Sequence, residues 1–245
     1  MKLRPLAGSL LGALVLGGLL SCAPVISTER RGASAETSLN GPAALASIYA
    51  GLRSGGGHVF SLSPKDSAVR IFAFRAGPAA RVGHNHVLSA PSFTGYFYLP
   101  SAGASSGRFD LEFRLDQLEI DRPDIRAEYG PAFASVLNAA AIDGTREHML
   151  GSDNLESDRF PFVRIHSVQI AGEAPKFSAR VEVELHGQTR EMTIPLEVTG
   201  LPGQVQASGS FVLRQTDFGA QPYSVLGGLI AVRDEVVVDF KLAGQ

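Results

Sequence analysis

From Phe109 to Asp116 the chain alternates. Phe109, Leu111, Phe113 and Leu115 are apolar, while Asp110, Glu112, Arg114 and Asp116 between them are charged. The same rhythm sets Phe177, Ala179, Val181, Val183 and Leu185 against Ser178, Arg180, Glu182, Glu184 and His186. It returns at Met192, Ile194, Leu196 and Val198. Successive side chains of a strand point to opposite faces, so this period of two predicts strands with one buried and one wet face. Gly187-Gln188, between two such runs, reads as a tight hairpin. Further strands are expected at 67–75, 92–99, 162–170, 204–214 and 234–243.

Two stretches break the alternation. Arg126 to about Ala141 is rich in Ala and predicts a helix, with Pro131 in its first turn, where a missing N–H costs little. Gly144 to Phe162 is polar and reads as irregular, ending in Phe160-Pro161-Phe162 where a buried strand begins. Strands, one helical insertion at about 124–150, then more strands fit an all-β fold better than βαβ units, which need a helix between each strand pair. An eight-stranded antiparallel barrel is the expected architecture, since closure removes exposed edges and leaves room for one elongated ligand. The strand at 69–74 is apolar on both faces, Val69, Ile71 and Ala73 on one and Phe72 and Phe74 on the other. The helical insertion is expected to cover one of them.

The N-terminus reads as an export signal. Lys2 and Arg4 precede a mostly apolar run from Leu6 to Leu20, shorter than the ~20 residues of a spanning helix. Leu19-Leu20-Ser21-Cys22 resembles the lipobox of bacterial lipoproteins, and Cys22 is the only cysteine. This predicts a signal peptide over 1–21 and a lipid anchor on Cys22, hence no disulfide and no thiolate metal site in the mature chain. Ala23 after the cysteine, with no Asp there, resembles the sorting signal for the outer membrane, facing the periplasm. Residues 22–57, with Gly55-Gly56-Gly57, read as a flexible tether in which Pro42 to Leu52 forms one short helix. Residues 58–245 are expected to form one domain. The formal net charge of −2 and the lack of a basic stripe exclude nucleic acid as the expected partner.

The polar segment also carries a family resemblance. Arg146-Glu147-His148-Met149-Leu150, then Asp153, Leu155 and Phe160-Pro161, resembles the Arg-Asp-x-His-Leu…Asp-Phe-Phe…Tyr-Pro pattern of the YceI-like family. Gly95-x-Phe97, Leu185-His186-Gly187-Gln188-Thr189 and Asp217-Phe218-Gly219 are similar to three further family motifs in the same order. The resemblance runs from about 67 to 243. The chain departs from the pattern at Met149, where the family has His, at Glu147 for Asp, and at Gln215 for Arg. The resemblance implies a lipocalin-like barrel that binds a long-chain isoprenoid-type lipid in an apolar tunnel; neither catalysis nor a cofactor is expected.

On that reading Phe72, Phe97, Phe113 and Phe211 are expected to contact the lipid chain, with Arg146, His84 and His86 near its head group. Arg146 has a competing reading, an ion pair with Asp153 or Asp217. Two other functions stay open. His84 and His86, with His148 or Glu147, have the residue types of a three-ligand metal site, which would make the protein an envelope metal or redox protein or an enzyme. Neither a His-Glu-x-x-His nor a P-loop sequence is present. A solidly packed barrel would instead be a scaffold for surface interactions.

Overall fold

A computed structural model describes residues 42–245. The expected signal peptide, Cys22 and the first part of the tether lie outside the described residues. The first element is helix α1, Pro42–Ser54. Tyr49 anchors it: the ring is 1% exposed, stacks on Tyr96 at 5.0 Å between centroids, and its hydroxyl donates to Asp110 Oδ2 at 2.6 Å. The part of 22–57 from Pro42 onward thus includes a helix held against the sheet. Burial, then the Asp110 charge, pushes the Tyr49 phenol above its ordinary range.

Twelve strands follow: β1 (His58–Ser61), β2 (Ala68–Ala76), β3 (His86–Ser89), β4 (Thr94–Leu99), β5 (Arg108–Arg114) and β6 (Glu119–Ile120) precede the helical insertion. After it come β7 (Phe162–Glu173), β8 (Lys176–Leu185), β9 (Gln188–Thr199), β10 (Val205–Arg214), β11 (Ser224–Val225) and β12 (Ile230–Gly244). They form one antiparallel curled sheet in the order β1-β4-β5-β7-β8-β9-β10-β12-β2-β3-β6, with β11 beside β12. A bridge from Leu62 to Gly244 ties the end of β1 back to β12. The count is twelve, not eight. Each of the eight expected segments holds a strand, and the additional ones, β1, β3, β6 and β11, have four residues or fewer. Pro91 lies between β3 and β4, where it has no N–H to give a ladder. A single 3-10 turn, Leu115–Gln117, separates β5 from β6.

The insertion also differs from the expected continuous helix. It holds α2 (Pro123–Ala127), a 3-10 turn at Pro131–Phe133 and α3 (Ala139–Leu150). Gly130, at φ +68°, breaks the helix ahead of Pro131. Asn138 then caps α3 by accepting from the Ala141 N–H at 2.8 Å. The segment from Gly144 therefore starts inside α3 and becomes irregular only after Leu150.

The inward face of the sheet carries the main apolar cluster, which includes Phe60, Phe97, Leu111, Phe113, Val181, Val183 and Phe218. A second, smaller cluster of Phe72, Val87, Ile125 and Phe133 lies on the other face of β2, under the insertion. The wet face carries cross-strand ion pairs. Glu112 accepts from Arg164 at 2.6 Å and Arg164 reaches Glu184 at 3.0 Å, along the rung Glu112–Arg164–Glu184.

Candidate functional site

The curled sheet encloses a cavity of about 520 Å³, within the ~300–1,000 Å³ range of small-molecule sites. Its walls follow from the alternation: Leu111 and Phe113 of β5, Ile165 of β7, Val183 of β8, Leu196 of β9 and Leu213 of β10 all point inward. Among the described residues that line it there is no Asp, Glu, Lys or Arg.

The polar lining is confined to one end: His86, Thr145, His148, Asn154, Gln215 and Tyr223. The register places them together. His86 pairs with Ala73 near the end of β2, and Ala76 at that end pairs with Ala231 at the start of β12. Gln215 follows the last residue of β10, whose partner is Glu235. Thr145 and His148 come from α3, which lies across this end. The opposite end is apolar, with Ile170, Phe177, Val198, Leu201, Val205 and Leu242.

Each polar group has a fixed orientation. Asn154 is 9% exposed and donates to the Gln221 carbonyl at 2.7 Å, and Gln215 donates to the Arg233 carbonyl at 2.8 Å. The His148 and Tyr223 rings lie 4.5 Å apart. His86 Nδ1 is 2.6 Å from Asp121 Oδ2. Asp121 is 1% exposed, accepts also from the Val87 N–H at 3.0 Å, and pairs with the buried Arg126. Burial opposes ionisation of Asp121, but His86, the Val87 amide and Arg126 outweigh it and hold the carboxyl below the usual carboxylate range. Arg126 goes on to the Asn85 carbonyl at 2.8 Å and Ser135 Oγ at 2.9 Å. Asn85 in turn donates to the Ala132 carbonyl at 3.0 Å. Gly83-His84-Asn85-His86 is therefore the seam that fastens the insertion to β2 and β3.

The expected site residues separate on this geometry. Phe97, Phe113, Phe211 and His86 line the cavity. Phe72 does not: it packs outward against Tyr129 and Phe133, at 4.7 and 5.7 Å between centroids, because β2 is covered on that face by the insertion. Arg146 also stays out of the cavity. Its guanidinium donates to the Leu118 carbonyl at 2.8 Å and the Asp116 carbonyl at 3.3 Å, clamping α3 to the β5–β6 turn. Neither of the expected partners, Asp153 and Asp217, receives it. His84 faces Ser135 Oγ at 3.2 Å, and burial, then the neighbouring His86 and Arg126, hold its pKa below the ordinary value.

The three histidines of the metal reading have separate partners: Ser135 for His84, Asp121 for His86 and the Tyr223 ring for His148. No group of three His, Cys, Asp or Glu side chains suited to a metal gathers among the described residues. A nucleophile-elbow spacing does occur, Gly103-Ala104-Ser105-Ser106-Gly107. It forms a 3-10 turn between two strands, not between a strand and a helix, and Ser105 Oγ donates to the Gly172 carbonyl at 3.0 Å.

Residues 151–162 are held by the β8–β9 hairpin. His186 Nε2 lies 3.1 Å from Glu156 Oε1 and its Nδ1 3.0 Å from the Phe218 carbonyl. The Phe160 ring stands edge-on to His186, at 5.0 Å between centroids. Thus Phe160, His186 and Phe218, one from each of three sequence motifs, meet in one place.

Comparison with known proteins gives the same outline. The model of the YceI-like domain matches residues 63–243. The structure is similar to that of Burkholderia cenocepacia BcnA, with a TM-score of 0.55 and 14% identity over 75% of this chain and 99% of that one. A Campylobacter jejuni YceI protein gives a TM-score of 0.46 and 9% identity, over 64% of this chain and 84% of that one. No curated protein matches the sequence.

Proposed function

The chain belongs to the YceI-like family, and from that premise we propose that it is a non-enzymatic binding protein for one long apolar lipid of isoprenoid type. The lipid chain lies along the curled sheet, over Phe97, Phe113 and Phe211, and its head group sits among His86, Thr145, His148, Asn154, Gln215 and Tyr223. One observation carries this reading: a cavity of about 520 Å³ that is apolar along its walls and polar at one end only. Burying each methylene contributes about 0.8 kcal/mol, so a long chain binds firmly without covalent chemistry.

The lining also narrows the head group. A pyrophosphate in an apolar cavity needs cationic partners, and no Lys or Arg lines this one among the described residues. Amide, hydroxyl and imidazole groups suit a carbonyl or hydroxyl. We therefore assign an uncharged head group. The reading places the protein at the bacterial envelope, anchored through Cys22; its support is the N-terminal sequence pattern.

Native mass spectrometry of the purified chain tests the proposal. One additional mass per chain is expected, removed by organic extraction and recovered as a neutral long-chain lipid. A protein that carries no lipid and takes none up from prenyl lipid vesicles overturns it.

A further inference from the structure

Six polar side chains line one end of the cavity. The protein commits several of their hydrogens to its own carbonyls and carboxylates. What a head group meets is the remainder.

His86 is fixed by Asp121, whose Oδ2 lies 2.6 Å from Nδ1. Asp121 also accepts from the Val87 N–H and pairs with Arg126, as a carboxylate does. The hydrogen of the His86 contact is therefore on Nδ1. Arg126 already supplies the counter-charge of Asp121, so a neutral ring completes the contact, and its Nε2 offers the cavity only a lone pair.

Thr145 and Asn154 are committed in the same direction. The Thr145 hydroxyl donates to the Ala141 carbonyl at 2.9 Å, one turn back in α3, which leaves only lone pairs on Oγ1. Asn154 gives one amide hydrogen to the Gln221 carbonyl at 2.7 Å and directs the other at Gln215 Oε1, at 3.4 Å. A flipped amide would set Oδ1 against the Gln221 carbonyl, so the orientation is determined by its neighbours. Asn154 Oδ1 accepts from no side chain or amide among the described residues and is not one of the sealed, unpartnered atoms. It is open to whatever fills the space beside it.

Gln215 is the counterweight. Its amide nitrogen donates once, to the Arg233 carbonyl at 2.8 Å, and keeps one hydrogen. His148 and Tyr223 are exposed, so water as well as a ligand can satisfy them. The inner groups thus present three acceptors, on His86, Thr145 and Asn154, against one donor on Gln215. A carbonyl head group only accepts: it pairs with Gln215 and leaves the three lone-pair groups facing another oxygen. A hydroxyl accepts from Gln215 and donates to one of the three.

We propose that the cavity selects a long-chain alcohol over a carbonyl lipid of the same chain. This rests on the lipid-binding reading and narrows the uncharged head group assigned there to a hydroxyl.

Competition between geranylgeraniol, geranylgeranial and geranylgeranyl methyl ether tests it on the full chain after lipid extraction, with bound lipid read by native mass spectrometry. The three share one chain; the alcohol donates and accepts, while the aldehyde and the ether only accept. The alcohol is expected to bind about ten- to a hundredfold more tightly, the range for buried polar groups left unpaired. Thr145→Val keeps the shape of its side chain and His86→Phe keeps the bulk of a ring, and each removes one acceptor. Each should narrow the gap severalfold by weakening the alcohol and not the aldehyde, a change that a merely structural role would not produce. Equal binding of the three lipids overturns the proposal and leaves the lipid-binding reading standing, as does tighter binding of the aldehyde or a gap unchanged in both variants. If none of the three binds, the lipid-binding reading fails and the alcohol preference falls with it.

Discussion

Asp121 sets what His86 can offer the cavity. Its carboxylate is 1% exposed and meets the His86 ring, the Val87 amide and the Arg126 guanidinium. With Nδ1 committed to Asp121, Nε2 is the ring atom left to meet a head group. Removing the charge strands Arg126, which is itself 5% exposed. Breaking a buried pair from one side costs ~3–5 kcal/mol, so Asp121→Asn is expected to lower the urea midpoint by that equivalent. The pH dependence follows from the direction of the shift. The carboxyl titrates lower in the folded state than in the unfolded chain. Its contribution is therefore fully present above the unfolded value of ~3.9 and is lost as pH falls through the lower, folded value. Asp110 adds to the same acid-limb loss. Although burial opposes it, bonds from His166, Arg108 and Tyr49 bring its pKa down. Urea unfolding from pH 7 down to pH 2 should show stability declining below about pH 4, with a shallower decline in Asp121→Asn. An unchanged slope would mean that the carboxylate is not the group that titrates.

At the scale of elements, the β8–β9 hairpin does more than reverse the chain. Gly187, at φ +67°, has the Phe160 ring so close that a Cβ would lie 2.4 Å from its Cε1. Gly187→Ala therefore strains the turn and pushes the ring away, at a cost of about 2 kcal/mol, more than the ~1 kcal/mol of an ordinary Gly–Ala difference. Amide hydrogen exchange should speed up at 151–160 before it does in β8 or β9. A uniform rise across the sheet would show that the hairpin does not hold that segment. The turn was legible in the sequence because Gly-Gln separates two alternating runs. So were the eight longer strands, whose period of two covers enough residues to count. The four short strands were not, since two to four residues carry no period. The insertion was legible in extent and not in form: Ala content signals helix, but Gly130 and Pro131 part it, and Asn138 restarts it further on. Phe72 illustrates why lining residues are hard to read. On a strand apolar on both faces, composition does not say which face meets the cavity and which meets α2. The polar end was less legible still, because Thr145 on α3 and Asn154, Gln215 and Tyr223 in separate connections are brought together only by the curling of the sheet.

For the whole molecule, an apolar cavity of this size has an energetic consequence. A ligand that binds only the folded state stabilises it by RT ln(1 + [L]/Kd), about 2.7 kcal/mol at a hundred times Kd. For a domain of this size each kcal/mol moves Tm by ~2–4 °C, so lipid extraction is expected to lower Tm by about 5–10 °C and re-addition to restore it. Side chains that occupy the space should separate binding from folding. Ala207 and Ala73 both line the cavity, Ala207 toward the apolar end and Ala73 near the polar end, opposite His86. Ala207→Phe fills volume that the lipid chain needs and adds apolar contacts of its own. The variant should lose the extracted lipid and the lipid-dependent part of Tm, while its Tm stays at or above that of the extracted parent. Ala73→Leu serves where the larger ring disturbs β10. If both variants keep the full lipid-dependent rise in Tm, the lipid lies somewhere other than inside the sheet.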